Sequence, residues 1–429
     1  MNEAPSCCAE QAATSGWSRR AVLRAAAIGG VVAATSASGS TEYAFGATPS
    51  TDTLVVVSLR GGFDGLSALA PIGDPAYAGL RPSTAVSAYA ASQLDQMFGL
   101  HPAMSALLPY WQSGRLAGIV DVGQQAPTRS HFDAMAEMER AAPGSSLRTG
   151  WLDRAVGLRP STGPLTATQI GDTAAPQSFI GPNPEMTLGS IADFALSGAW
   201  DATETARWNT ALRAMNAGAP ATVSAPVGSA LDALATIDML RSSGYQAGTG
   251  YPTNTSGNPT LLAQALADTA QLIKAGVGLR VATIDVGHWD MHEGAGVNTT
   301  TGWMYTQLTE LSTALAAFAA DLGSALDSTT LVTLSEFGRR VAQNGTGGFD
   351  HGHGNQMFIL GGGTRGGRIH GSWPGLTSAL VAGDLPGRLD YRHVLAQILT
   401  ARMGLTSSEV LSVFPGLTGT SPVDVTAPR

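Results

Sequence analysis

The sequence predicts an α/β fold: a largely parallel central sheet flanked by helices. Three observations lead there. Short apolar runs rich in β-branched residues recur without polar alternation, as strands buried on both faces require. Stretches with helical spacing of apolar residues separate them. Asp, Glu and His then gather just after the runs end, where open α/β sheets bind their ligands.

Taken in order, residues 1–47 read as a twin-arginine export signal. Ser18-Arg19-Arg20-Ala21-Val22-Leu23-Arg24 precedes an apolar run, Ala25 to Ala34, too short to span a bilayer. Cleavage is expected after Ala37 or Ala47, and the twin-arginine translocase is the expected partner during export. Residues 48–420 form the expected folded domain. "TLVVVSLRGGFDG" (53–65) is a buried strand ending at Gly61-Gly62, and "HPAMSALLPYWQSG" is helical. "RLAGIVDVG" (115–123) is a second strand, and "QQAPTRS" is a loop into the helical "HFDAMAEMERAA". Residues 160–260 turn rich in Pro, Gly, Thr and Ala and read as an inserted region or lid, with a helix around Ser229 to Arg241. Alternation then resumes with the helix "LLAQALADTAQLIKAG", the strand "LRVATIDVG" (279–287) and the helix "MYTQLTELSTALAAFAADLGSAL". The strands "TTLVTLSEFG" (329–338) and "QMFILGGG" (356–363) follow. No internal repeat and no transmembrane span are expected beyond the leader.

Composition narrows the function. With 44% hydrophobic and 13% charged residues over 429 positions, the chain can bury a sizeable core. A net charge of −8 argues against a nucleic-acid partner. Cys7 and Cys8 both lie in the leader, so thiolate metal sites and cysteine nucleophiles are excluded from the folded domain. Lys274 is the only lysine, which leaves arginine as the anion-binding cation.

The chemistry sits at four strand ends. The first supplies Asp64; the second supplies Ser130-His131; the third, "GHWDMHEG" (287–294), supplies His288, Asp290 and His292, after Asp285 in the strand. The fourth supplies Glu336, and the loop "FDHGHGN" adds Asp350, His351 and His353. Imidazole with carboxylate is what a divalent metal takes, so Asp64, Asp290, His292, Glu336, Asp350, His351 and His353 are the expected shell of one or two ions of Zn, Mn, Mg or Ca. Each residue has a plainer alternative. Asp64 can be a turn residue, and Glu336 can pair with Arg339 or Arg340. Ser130 can be the N-cap of its helix, with Asp133 three positions on. As a nucleophile, Ser130 would have Thr128 as its competitor, while Arg129 and Arg60 are candidates to grip a phosphate or sulfate in bidentate fashion. Ser58 reads as core and His101 as structural; His370 is a candidate to border the site, and His393 reads as surface or core.

The leader with "LRGGFDGL", "RSHFDAM", "GHWDMH", "LSEFGR" and "DHGHGN", in that order, resembles the DUF1501 family across about residues 55–415. That family is similar in fold to the alkaline phosphatase and sulfatase superfamily. The resemblance implies an alkaline-phosphatase-like two-metal hydrolase core, with Asp64 as the first-strand ligand, Asp290 and His292 as third-strand ligands and Ser130 as nucleophile. The superfamily's fourth-strand Asp-His pair has no literal counterpart at "SEFG". Either Glu336 takes the aspartate's part, or Asp350-His351 supplies the pair. His-Phe-Asp-Ala after Ser130 departs from the formylglycine motif, which sets ordinary sulfatase chemistry aside.

The expectation is therefore an exported, periplasmic or extracellular metal-dependent hydrolase of a phosphate or sulfate ester, small or polymeric. The rival is a non-catalytic cell-envelope binding protein that keeps the fold. A metal-dependent oxidoreductase ranks third, since no nucleotide-binding glycine signature is present.

Overall fold

A computed structural model describes residues 52–159, 163–419 and 423–429. The proposed leader falls outside them. Among the described residues, nine strands build one sheet: β1 (Thr53–Leu59), β2 (Leu116–Gly123), β3 (Ala167–Ile170), β4 (Met186–Leu188), β5 (Val281–Val286), β6 (Thr329–Leu334), β7 (Asn355–Gly361), β8 (Ile369–His370) and β9 (Leu389–Asp390). Their order is β8-β2-β7-β6-β1-β5-β3-β4, with β9 also pairing with β2. β1 runs parallel to β5 and β6, whereas β7 lies antiparallel between β6 and β2. The sheet is thus largely parallel, as expected, with β7 as its inverted strand. That inversion has a consequence. The amino end of β7 lies at the same sheet edge as the carboxyl ends of β1, β2, β5 and β6, so the Asp350–His353 loop enters from the direction opposite to the other site loops.

The continuous apolar runs are explained by two cores. Val55, Val57 and Leu59 of β1 face one cluster, and Leu54 and Val56 face the other. The first is covered by α5 (Leu261–Lys274) and α6 (Trp303–Leu322), through Leu266, Leu308 and Leu315 among others. The second is covered by α1 (His131–Arg140), α2 (Trp151–Gly157), α7 (Tyr391–Met403) and α8 (Ser407–Val413), through Met138, Trp151, Leu395 and Val410. A strand between two helix layers has no solvent face on which to place polar residues.

The 160–260 stretch, expected as an inserted region or lid, is joined to the central sheet. It contributes β3 and β4 to the sheet, followed by the helical hairpin of α3 (Ala202–Asn216) and α4 (Ala221–Ser242). The strands are three and four residues long and set among Pro and Gly, which left no periodicity to read. By length and composition α4 could cross a membrane, yet its C-terminal half enters the core through Leu234, Ile237 and Leu240. Expected as one helix, "HPAMSALLPYWQSG" is instead a 3₁₀ turn, Pro102–Leu107, running into a short α-helix.

Candidate metal centre

Four loops meet at the sheet edge described above. The loop after β1 is held close by its glycines: Gly61 has φ +112°, and a Cβ there would lie 2.8 Å from the Asp290 backbone nitrogen. Gly62 has φ +66°, and its Cβ would collide with the Phe337 ring at 2.5 Å. Only glycine permits both this backbone and this approach. The loop after β5 is anchored by Trp289, which is 1% exposed and packs edge-on against Phe63 with ring centroids 4.9 Å apart. Anchoring Trp289 leaves Asp290 and His292, on either side of the buried Met291, facing outward.

At the centre of this arrangement are His131, Asp290 and His351, whose donor atoms all lie within 4.8 Å of one another. His351 Nε2 is 3.0 Å from His131 Nε2 and 2.8 Å from His292 Nε2. Asp290 Oδ1 lies 3.5, 3.1 and 3.3 Å from the Nε2 atoms of His131, His292 and His351. The other nitrogen of each ring is engaged behind. His131 Nδ1 donates to Glu336 Oε1 at 2.7 Å, His351 Nδ1 donates to the Arg129 carbonyl at 2.7 Å, and His292 Nδ1 donates to Asp350 Oδ1 at 3.3 Å. With those protons on Nδ1, three Nε2 lone pairs and one carboxylate oxygen point at each other. That is the outer-shell pattern of metal-ligating histidines, and a cation relieves the crowding of lone pairs. Imidazole nitrogens with one carboxylate suit Zn²⁺ and similar transition ions; Mg²⁺ and Ca²⁺ favour oxygen donors.

Without an ion, Asp290 and Glu336 instead favour a second proton on His131, at the Nε2 that an ion would have to claim. Hydrogen bonds to Asp290 and Glu336 push the His131 imidazole up to about 9. Burial works to raise the Asp290 carboxyl, but hydrogen bonds from His131, His351 and Arg339 hold it well below the usual carboxylate range. Burial likewise opposes ionisation of Glu336, and His131 together with the Gly61 N–H, which donates to Oε1 at 2.8 Å, overcomes it.

Several expected ligands and catalytic residues are engaged with other partners. Asp64 is 1% exposed and spends both carboxylate oxygens on Arg81, at 2.6 and 2.8 Å, with the Ser67 hydroxyl also donating to it. Glu336 stands behind His131 and pairs with neither Arg339 nor Arg340. His353 Nε2 bonds the Gln124 carbonyl at 3.0 Å, packed against Gly123 and Gly387, and burial pushes its imidazole down. Asp350 meets His292 and the Asn344 side-chain amide from the exposed side. Arg60 is shared between Glu139 and Asp285, at 2.6 and 2.8 Å, and Arg129 donates to Asp384 at 2.5 Å, so both guanidinium groups expected to grip an anion already hold carboxylates. Ser130 is the N-cap of α1, accepting from the Asp133 N–H at 3.4 Å. His370 bonds the Arg365 carbonyl at the far edge strand β8, and His101 caps the 3₁₀ turn and reaches the Val297 carbonyl, as a structural histidine does.

Three participants were not assigned a part by sequence. His131 is named with Ser130 among the polar groups at the strand ends but stands outside the expected metal shell, although its membership in so small a set of histidines is a signal. Phe337 packs its ring against His131 and His351, with centroids 4.8 and 4.9 Å away, and fixes their planes. Arg339, buried beneath the site, donates to Asp290 Oδ1 at 2.7 Å.

Comparison with known proteins gives a family. Residues 51–410 match the family model described as "Protein of unknown function (DUF1501)". No curated protein matches the chain. Among solved structures, it is similar to the PsFucS1 sulfatase from Pseudoalteromonas sp., with 12% identity, 88% of this chain and 74% of that chain covered, and a TM-score of 0.39. It is also similar to the C-terminal periplasmic domain of EcEptC from Escherichia coli, solved in complex with Zn, at 10% identity, 73% of each chain and a TM-score of 0.32. Alkaline phosphatase from the Antarctic bacterium TAB5 matches at 10% identity over 86% of this chain and 100% of that chain, with a TM-score of 0.27.

Proposed function

From the premise that this chain belongs to the DUF1501 family, we propose that it is an exported hydrolase of phosphate or sulfate esters dependent on one transition-metal ion. The observation that carries the proposal is the convergence of three Nε2 atoms on Asp290 Oδ1, each with its Nδ1 held from behind. His131, Asp290 and His351 would hold the ion, with His292 beside them. One ion is favoured over two because Asp64 is committed to Arg81 and Glu336 to His131. When bound, such an ion supplies Lewis-acid stabilisation of the charge that builds on the ester's oxygens.

The chain's own groups supply the rest. Ser130, next to His131 and at the start of α1, offers the attacking hydroxyl. Its oxygen accepts from the Asp133 N–H, which leaves the O–H proton free to depart. Oγ bonds to phosphorus or sulfur as the bond to the ester oxygen breaks, the serine proton passing through solvent to the departing alcohol; water then cleaves the Ser130 ester, releasing phosphate or sulfate and restoring the hydroxyl. The side chains of Asp290, His292 and Asp350 are 47%, 45% and 54% exposed, which suits small and polymeric esters alike. Export is supported by Arg19-Arg20 and by the confinement of cysteine to positions 7 and 8.

A second reading is favoured by one observation: Arg60 and Arg129 already hold carboxylates, as a binding protein without an anion clamp would have them. Metal content by mass spectrometry on the purified wild type and on His131→Ala/His351→Ala separates the two, followed by a screen of phosphate and sulfate esters with Ser130→Ala as control. Near-stoichiometric metal lost in the variant, with ester turnover lost in Ser130→Ala, is the expected result. Metal-free wild type after reconstitution would refute the metalloenzyme. Turnover surviving in Ser130→Ala would remove the serine from the mechanism and leave water as the nucleophile.

A further inference from the structure

We propose that Arg339 is a positioning residue for this centre, setting the orientation of the Asp290 carboxylate toward the three imidazoles. The proposal rests on the metal-binding reading above. The Arg339 side chain is 1% exposed and uses every guanidinium nitrogen. Nε donates to the Gly62 carbonyl at 2.6 Å and Nη1 to the Phe349 carbonyl at 2.9 Å. Nη2 donates to the Gly61 carbonyl, to the Trp289 carbonyl at 3.1 Å and to Asp290 Oδ1 at 2.7 Å. One planar cation thereby joins the loops after β1 and β5 and the loop before β7. Each of those loops carries part of the site: the Gly61 N–H that fixes Glu336, Asp290 itself, and Asp350-His351 just beyond Phe349.

Four of the five acceptors are backbone carbonyls, and those contacts alone would describe a structural arginine. The fifth acceptor is the same carboxylate oxygen that the Nε2 atoms of His131, His292 and His351 approach. A charge-assisted bond from a fixed donor below prevents this half-exposed carboxylate from rotating and sets how much of its charge remains for an ion above. Lysine cannot substitute, because a point charge on a flexible stem does not reproduce the planar fork. The neighbouring Arg340 does not share the task; its nearest carboxylate is Asp384, at 3.9 Å.

The test is a double-mutant cycle on metal affinity in the full chain: wild type, Arg339→Lys, Asp290→Ala and the pair. Zn²⁺ affinity is read by competition with a chromophoric chelator, the Co²⁺ absorption spectrum reports ligand geometry, and the urea midpoint reports folding. Arg339→Lys should weaken Zn²⁺ binding about 10–100-fold and alter the Co²⁺ bands. In the Asp290→Ala background it should cost less than about twofold more, because its route to the metal is gone. Equal losses in both backgrounds would reduce Arg339 to a structural role, and wild-type affinity in Arg339→Lys would overturn the proposal outright. Should Arg339→Lys fail to fold, Asp290→Glu keeps the arginine and a carboxylate but displaces the oxygen from the fork; unchanged affinity there overturns the proposal equally. A wild type that binds neither ion sinks the metal reading itself, an outcome distinct from wild-type binding with indifferent variants.

Discussion

Replacing Arg81 with methionine should be among the most damaging single changes in this protein, while sparing the proposed metal centre. Arg81 and Asp64 form an ion pair with side-chain exposures of 0% and 1%, bonded through both terminal guanidinium nitrogens. Losing one partner strands a buried carboxylate, a cost of about 3–5 kcal/mol. The carbonyls of Val341 and Arg340, which Arg81 also serves at 2.8 and 3.1 Å, lose their donors at about 1 kcal/mol together. Methionine retains the apolar contact with the Phe349 ring, over which the guanidinium now sits at 4.2 Å. A destabilisation of about 4–6 kcal/mol is a large share of a typical folding free energy, and in a domain this large it lowers Tm by about 5–8 °C. Urea titration monitored by tryptophan fluorescence, with metal content measured on the folded fraction, is the assay. Arg81→Met/Asp64→Leu should recover more than half the loss, since an apolar pair replaces a buried ionic one at little cost. Metal content should stay at the wild-type level in both variants. A loss under about 1 kcal/mol in Arg81→Met, or metal lost from a fully stable Asp64→Asn, would refute the assignment of Asp64 to the scaffold.

Two further outcomes follow from the same geometry. Glu336→Gln keeps the shape behind His131 but removes the charge, so metal affinity should fall about 10–100-fold by chelator competition, with His131 titrating lower by NMR. Burial and the nearby Asp153 charge raise the Glu185 carboxyl to about 7, well above its ordinary 4.5, so the folded state holds the proton more tightly. Its contribution to stability is present below about pH 4.5 and is lost as pH rises to about 7. Glu185→Gln should flatten that decline and be more stable at pH 8 by about 1 kcal/mol, after allowing for solvent screening; urea midpoints at pH 5 and pH 8 check this.

Much of the architecture was determined by sequence alone, because burial on two faces leaves an unmistakable trace. Val55, Val56 and Val57 cannot alternate with polar residues when helices cover both sides of β1, and the same holds for β2, β5 and β6. Parallel strands joined by helices then oblige their polar followers to share one edge, so Asp290, His292, Asp350 and His351 could be named together from spacing. The structure does bring these four into contact. β3 and β4 were not legible, being too short to show a period, and neither was the antiparallel course of β7, which depends on pairing rather than composition.

Partnership was decided only by tertiary structure. Nothing local distinguishes Asp64, neutralised by an arginine 17 residues away, from Asp290, whose carboxylate meets three imidazoles. Nor does "SHFD" reveal that the serine caps the helix while the histidine turns inward to Glu336, 205 positions on. A sequence records which groups can ionise or ligate. Which of them are satisfied by a neighbour, and which are left facing one another, depends on contacts between distant segments that form only as the loops at the sheet edge close together.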